Sequence, residues 1–155
     1  MYKTTTYWKE YIINLKNHEI EQLEKQLDFN SVSDWLIYHR KLENISQDKL
    51  AKRVGIEYGS YIKDIEINRK FPNRDTSMKL AKYFKIGTKY FYDSYLEETE
   101  QIHSLLLEYR KKNNLGIKYA AKLIDVSPGT WSNWEKQKYE INRENYSKLK
   151  NLNII

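Results

Sequence analysis

The stretch SQDKLAKRVGIEYGSYIKDIE, residues 46–66, decides the fold of this chain. Ser46 is a good N-cap residue for a first helix, and Gly55 stands where the chain must reverse with a positive φ. Ala51 is small enough for a second helix to cross close to the first. The apolar residues form one helical stripe, a turn contact and a second stripe. They are Leu50, Val54, Ile56, Ile62 and Ile65. The stretch therefore predicts two short helices joined by a tight turn.

This stretch resembles the helix-turn-helix of the xenobiotic-response-element (XRE) family, whose fold is that of the Cro and cI-type phage repressors. The flanking residues extend the resemblance. WLIYHRKLEN at 35–44 is similar to the family's first helix, NRKFP at 68–72 to its basic loop, and MKLAKYF at 78–84 to its fourth helix. Residues 85–92 resemble the stretch that leads into the fifth helix. Between the turn glycine and the second apolar stripe, this chain has one residue more than the family's usual spacing.

The same pattern begins again in the last third of the chain. YAAKLIDV at 119–126 repeats KLAKRVGI at 49–56 with an offset of 70 residues. TWSNWE at 130–135 then repeats YIKDIE at 61–66 with an offset of 69 residues. The offset falls by one because the first copy contains the extra residue. An internal duplication is therefore expected, with the regular spacing in the second copy.

The second copy has a strong signal for the start of its third helix. Ser127 is placed as an N-cap, and Pro128 follows at the first helical position. In the turn before it, Asp125 stands where the first copy has its glycine, and Gly116 replaces the capping serine. The sequence leaves room for four helices in this copy, so we expect it to pack on the first module or on a second chain to complete its core.

These patterns predict an all-α fold with two tandem lambda-repressor-like helix-turn-helix domains preceded by an N-terminal helix. We expect an N-terminal helical arm over 1–32, a first domain over 33–98 and a second, shorter domain over 99–155. The helix of the arm carries two apolar stripes. Their residues are Trp8, Tyr11, Ile12, Leu15, Ile20, Leu23 and Leu27. The arm is interpreted as a helix packed on the first domain, with a dimerisation arm as the less favoured alternative.

Composition limits the class of protein. The 155 residues are 40% hydrophobic and 31% charged, and no apolar run approaches the length of a membrane span. The sequence has no cysteine, which fits a cytoplasmic location, and its three histidines are too scattered to predict a metal site. It shows no glycine-rich phosphate loop and no HisGlu metal motif, so an enzyme, a cofactor and a small-molecule ligand are not expected. No membrane partner is expected either.

The charge distribution permits a polyanionic partner. The formal net charge is +6, and the excess of basic residues lies after residue 33, in the two stretches that resemble helix-turn-helix modules. The resemblance implies an ion pair between the first helix and the end of the third in each copy. The pairs are Arg40 with Glu66 and Arg110 with Glu135. We interpret them as scaffold, the alternative being that either arginine contacts a phosphate.

The resemblance also implies a set of DNA contacts, because the third helix of such a module enters the major groove. In the first copy these are Gln47, Tyr58, Gly59, Ser60, Tyr61, Lys63, Asn68, Arg69 and Lys70. In the second copy they are Ser127, Pro128, Gly129, Thr130, Ser132, Asn133, Lys136 and Lys138. Lys49, Lys118 and Lys122 would add phosphate contacts. Asn133 is the best base reader, because its amide can pair with adenine N6 and N7.

The predicted function is a sequence-specific DNA-binding transcriptional regulator, a repressor, acting on double-stranded DNA at an AT-rich operator, with a homodimer as one possible assembly. By resemblance, such regulators are frequent on phages, plasmids and other mobile elements. Glu57, Asp64 and Glu66 stand against a single Lys63 in the first recognition segment, which is a poor match to phosphate. The alternative is therefore a helix-turn-helix fold used as a protein-binding module, an inhibitor or antirepressor such as a mobile-element regulatory protein.

Overall fold

The computed structural model describes residues 3–155, with side chains described from Ile13 onward, and all regular secondary structure in that range is helical. The predicted all-α class is confirmed. Contacts between Cα atoms divide the chain into two compact units, residues 1–93 and 94–155. Among the described helices, none combines the length and the apolar character that crossing a bilayer requires.

The first unit is a bundle of helices around one apolar core. In chain order they are α1 (Lys3–Gln26), α2 (Val32–Leu42), α3 (Gln47–Val54), α4 (Gly59–Glu66), α5 (Arg74–Phe84) and a short 3₁₀ helix (Thr88–Tyr90). Leu36, Leu50, Ile62, Leu80 and Phe91 are fully buried at its centre. The buried apolar residues of α3 and α4 are those of the two predicted stripes together with Ala51, so the sequence pattern predicts which sides of these helices face the core.

The long helix α1 packs on the bundle through its C-terminal part. Ile20 and Leu23 are half-buried, and the Tyr38 hydroxyl of α2 donates a hydrogen bond to Glu24 Oε1 at 2.9 Å. Ile13 and Leu15 are exposed. The side chains of Trp8, Tyr11 and Ile12, which belong to the predicted apolar stripes, lie outside the described part. The dimerisation arm stays a prediction.

The turn between α3 and α4 has the conformation that the sequence predicts. Ser46 caps α3 by accepting a hydrogen bond from the backbone N–H of Lys49 at 3.2 Å. Gly55 ends the helix with a φ of 69°, in the left-handed region where a residue with a Cβ is strained. Its N–H then closes the last turn of α3, so the chain can reverse within four residues and begin α4.

The second unit has its own core. Its elements are α6 (Ser94–Glu98), a 3₁₀ helix (Thr99–Gln101), α7 (Ile102–Lys112), α8 (Ile117–Leu123), α9 (Pro128–Glu135) and α10 (Arg143–Asn151). Leu106, Trp131, Ile141 and Leu149 are buried at its centre. The unit begins at residue 94, five residues before the predicted domain start, because α6 and the 3₁₀ helix lead without a break into α7.

Helices of the two units recur at regular distances along the chain. The starts of α7 and α8 follow those of α2 and α3 by 70 residues, and the starts of α9 and α10 follow those of α4 and α5 by 69. Left-handed residues recur in the same way, with Asn44 matched by Asn114 and Gly55 by Asp125. Asn73 and Asn142 both cap the next helix, each accepting a backbone hydrogen bond at 2.8 Å. Residues separated by these offsets therefore occupy matched positions in the two units.

Candidate nucleic-acid interface

A buried carboxylate holds the recognition segment of the first unit in place. Arg40 donates from Nε to Glu66 Oε1 at 2.5 Å and from Nη2 to Glu66 Oε2 at 2.8 Å. Its Nη1 donates to the backbone oxygen of Ile45 at 2.9 Å. Gln47 Nε2 adds a bond to Glu66 Oε2 at 2.7 Å. The end of α4 is thus tied to α2 and to the start of α3, and the predicted Arg40–Glu66 pair is confirmed.

The second unit builds the same support with one different donor. Arg110 donates from Nε and Nη2 to the two oxygens of Glu135 at 2.7 and 2.9 Å, which confirms the second predicted pair. Trp131 Nε1 donates to Glu135 Oε1 at 2.7 Å and so supplies the third bond that Gln47 supplies in the first unit. Both arginines therefore serve as scaffold, since their guanidinium groups are engaged within their own units.

The Glu135 carboxyl is held in its charged form. Burial alone would raise its pKa, but hydrogen bonds from Arg110 and Trp131, with the charges of Arg110 and Lys111, outweigh burial and lower the pKa below the ordinary 4.5. A lowered folded-state pKa gives stability that is present above the unfolded pKa and is lost as the pH falls through the folded one.

This linkage predicts a pH-dependent stability for the second unit. Glu135→Gln should weaken the decline in the free energy of unfolding between about pH 6 and about pH 3, because the variant has no carboxyl to protonate there. Chemical denaturation of both proteins across that range measures the effect. Parallel declines in the two proteins would contradict the assigned role of Glu135.

The outward surface of α9 begins at a well-formed helix start. Ser127 Oγ accepts a hydrogen bond from the Thr130 N–H at 3.0 Å, and Pro128 occupies the first helical position. Pro128 and Gly129 are exposed, whereas Thr130, Ser132 and Asn133 are half-buried. The structure therefore brings the predicted contacts of this helix together on one side, with the buried Trp131 and Trp134 on the other.

Four exposed lysines accompany α9 in sequence. Lys118 and Lys122 lie on α8, and Lys136 and Lys138 lie in the loop after α9. The Lys138 N–H donates to the backbone oxygen of Asn133 at 2.8 Å, which folds this loop back on the helix. Among the side chains that the structure describes, neither Lys136 nor Lys138 has an ion-pair partner. These cations are therefore available to an anionic ligand.

The predicted contacts of α4 divide into exposed and engaged residues. Tyr58, Ser60, Lys63 and Asn68 are exposed. Tyr61 is half-buried, with its hydroxyl 3.4 Å from the backbone oxygen of Phe71.

Two of the residues predicted to contact DNA in the first unit have close neighbours within that unit. Gly59 does not face outward: it is buried, and a Cβ built on it would lie 1.8 Å from Asp48 Oδ1. The Gln47 amide nitrogen, expected at a phosphate or base, is engaged by Glu66. Both residues serve the contact between α3 and α4.

Arg69 and Lys70 are ion-paired within the first unit. Lys70 Nζ lies 2.8 Å and Arg69 Nη1 lies 3.5 Å from oxygens of Asp64. The hydrogen bond from Lys70 is the main reason that the pKa of Asp64 lies below its ordinary value, so the carboxyl stays charged. From the sequence alone, Asp64 counts against phosphate binding. Its pairing was not predicted, and the sequence signal for it is an acid a few residues before two cations.

Two exposed tyrosines were also missed in the second unit. Tyr119 follows Lys118, and Tyr139 follows Lys138; both side chains are 68% exposed. Tyrosine hydroxyls often bond phosphate oxygens, which makes both residues candidates for positioning contacts. Tyr119 lies outside the apolar stripe of α8, and Tyr139 lies after the end of α9. These positions in the sequence would have indicated that both side chains are exposed.

A comparison with known families finds a match in the central part of the chain. Residues 39–97 match the model of a family described as a helix-turn-helix domain. The matched stretch contains α3, the turn and α4, together with both partners of the Arg40–Glu66 pair. A search of curated proteins and a search of solved structures each found no significant match. The first unit thus contains a region similar to a helix-turn-helix domain, the class that the sequence predicts for it.

Proposed function

We propose that this protein is a sequence-specific DNA-binding transcriptional regulator of the XRE type, and that its second unit is a tandem copy of the helix-turn-helix domain. The exposed surface of α9 carries the proposal. Small and polar side chains lie on this surface, exposed lysines stand before and after it in sequence, and the one carboxylate of the helix, Glu135, is neutralised by Arg110. Such a surface suits the major groove, where phosphate contacts position a helix and base contacts give specificity.

The proposed mechanism is occupancy of an operator, with repression as the outcome. Lys118, Lys122, Lys136 and Lys138 would neutralise phosphates, and α9 would present Asn133 to a base edge. Because the asparagine amide pairs best with adenine, the operator is proposed to be AT-rich. A homodimer would place two such surfaces on successive half-sites about 34 Å apart. The proposed setting is a mobile element, where regulators of this type are frequent.

Replacing Asn133 with Ala tests base reading by α9. A duplex selected from random sequence by the wild-type protein should lose about 1–3 kcal/mol of binding preference over unselected DNA in the variant. Affinity for unselected DNA should stay nearly unchanged, because the phosphate contacts remain. Competition binding with the two duplexes measures both quantities.

The matched control is Asp64→Ala, since Asp64 is the counterpart of Asn133 in the first unit, 69 residues earlier. This substitution should leave the preference for the selected duplex in place. If Asn133→Ala also leaves that preference unchanged, α9 does not read the operator through this residue and the proposal loses its main support.

A second candidate function, protein binding, is favoured by one feature of the first unit. Tyr58, Ile67 and Phe71 are 62%, 48% and 56% exposed at the two ends of α4 and in the loop that follows it. Exposed aromatic and aliphatic side chains are typical of the centre of a protein interface. An inhibitor or antirepressor role would use this surface, and Tyr58→Ala with Phe71→Ala would then abolish partner capture without changing DNA affinity.

A further inference from the structure

The recognition helices of the two units are matched in framework and differ in what they present. Both α4 and α9 contain eight residues and end on a glutamate that receives two hydrogen bonds from an arginine. The loops after the two helices are also closed in the same way. The Arg69 N–H donates to the backbone oxygen of Asp64, and the Lys138 N–H donates to that of Asn133, each at 2.8 Å. With the backbone matched, the side chains decide whether the two helices treat DNA alike.

At the matched position in the last turn, α4 has Asp64 and α9 has Asn133. Asp64 accepts the ion pairs from Lys70 and Arg69, the cations placed to contact phosphate. In the second unit an uncharged amide stands there, and Lys136 and Lys138 lie exposed in the following loop. A phosphate approaching α4 must therefore compete with a carboxylate that α9 does not have.

A second acid lies against the start of α4. Asp48 Oδ1 would be 1.8 Å from a Cβ on Gly59, and even the Asp48 Cα would be only 2.8 Å away, so the carboxylate lies directly over the first turn of α4. This is the turn that approaches base edges when such a helix enters the groove, and its positive dipole end is already next to an anion. At the matched positions the second unit has Lys118 and Pro128.

Total charge does not distinguish the two segments. Residues 47–70 contain six basic and four acidic residues, and residues 117–139 contain four basic and two acidic, so each segment has two excess positive charges. The difference lies in where the acids stand. In the first unit, Asp48 and Asp64 lie at the two ends of the recognition helix, whereas the acid of α9 is tied to Arg110.

We propose that the second unit alone binds the duplex, and that Asp48 and Asp64 keep the recognition surface of the first unit off DNA. The inference rests on the proposed function and assigns it to one of the two helices. Arg69 and Lys70 then act as partners of Asp64 within the unit, and Lys136 and Lys138 act as phosphate contacts. The first unit is left free to use its exposed apolar residues for another purpose.

Two matched double variants of the full chain test the assignment on an unselected duplex, with affinity measured by fluorescence anisotropy. Lys136→Ala with Lys138→Ala should lower affinity about a hundredfold at about 50 mM salt and reduce the slope of log affinity against log salt by about 1.8, as expected for two lost phosphate contacts. Arg69→Ala with Lys70→Ala should stay within about twofold of wild type, with an unchanged slope. Circular dichroism of each variant verifies that it is folded.

A third variant gives the first unit the two residues that the second unit has at the matched positions, Lys118 and Asn133. Asp48→Lys with Asp64→Asn should raise affinity severalfold and steepen the salt dependence, because it frees two cations and adds one. Equal losses in the two alanine variants would overturn the assignment while leaving the proposed function intact. An unchanged affinity in the third variant would overturn the role given to the two aspartates. A wild-type chain without DNA affinity would instead refute the proposed function itself.

Discussion

Replacing Arg40 with Ala is expected to lower the free energy of unfolding of the first unit by about 3–5 kcal/mol. The substitution leaves the Glu66 carboxylate buried, with the Gln47 amide as its remaining side-chain donor among the described residues. It also removes the hydrogen bond to the Ile45 oxygen. An unpaired buried charge costs far more than the loss of a surface ion pair. Hydrogen exchange at the amides of α2, α3 and α4 in the full chain measures the effect for this unit separately.

Arg110→Ala is the matched control in the second unit and should cost less. The side chains of Arg110 and Glu135 are 20% and 8% exposed, compared with 10% and 5% for Arg40 and Glu66, so water reaches the second pair more easily. Each glutamate keeps one further donor, Trp131 for Glu135 and Gln47 for Glu66, so the difference in exposure decides the expected difference in cost.

The charge swap Arg40→Glu with Glu66→Arg should recover part of the stability that either single substitution loses. If the double variant is no more stable than the sum of the two single effects predicts, the two side chains are not coupled and the scaffold interpretation fails.

The parts of the fold that the sequence predicted depend on local signals. The Ser46 cap, the left-handed Gly55 and the Ser127–Pro128 start each act within a few residues, so their consequences can be read without tertiary contacts. The apolar stripes of α3 and α4 predicted which sides face the core for the same reason.

The site was predicted less completely, because its details depend on how helices approach each other. The burial of Gly59 follows from the packing of Asp48 against α4, and a family pattern that assigns outward positions cannot anticipate it in a turn with an extra residue. The Gln47 amide turns inward because Glu66 lies within 2.7 Å. The pairing of Asp64 with Lys70 requires the loop after α4 to fold back, which the left-handed Asn68 allows.

Residues 94–98 lie in the second unit of the structure, whereas the predicted first domain extends to residue 98. The predicted first domain includes these residues, and the match to the helix-turn-helix family model also extends to residue 97. In the structure this stretch is α6, whose residues Tyr95 and Leu96 belong to the second unit; the Tyr95 hydroxyl donates to the backbone oxygen of Ile141, and Leu96 is buried. Helix propensity at 94–98 cannot reveal which core the helix joins, because that choice is made by tertiary packing.

DNA affinity is expected to fall steeply as the salt concentration rises. Four lysines are assigned to phosphates, namely Lys118, Lys122, Lys136 and Lys138. Each neutralised phosphate contributes about −0.9 to the slope of log affinity against log salt, so a slope of about −3.6 is expected. Between about 50 and 200 mM salt the affinity should then fall about a hundredfold. A protein-binding module would show no such dependence on counterion release from a duplex.

The most direct test is the affinity of the wild-type chain for an unselected DNA duplex at those two salt concentrations. We predict measurable binding at the lower concentration and an affinity about a hundredfold weaker at the higher one. No binding at the lower concentration, or an affinity that does not change with salt, would contradict the claim that this protein acts by binding DNA.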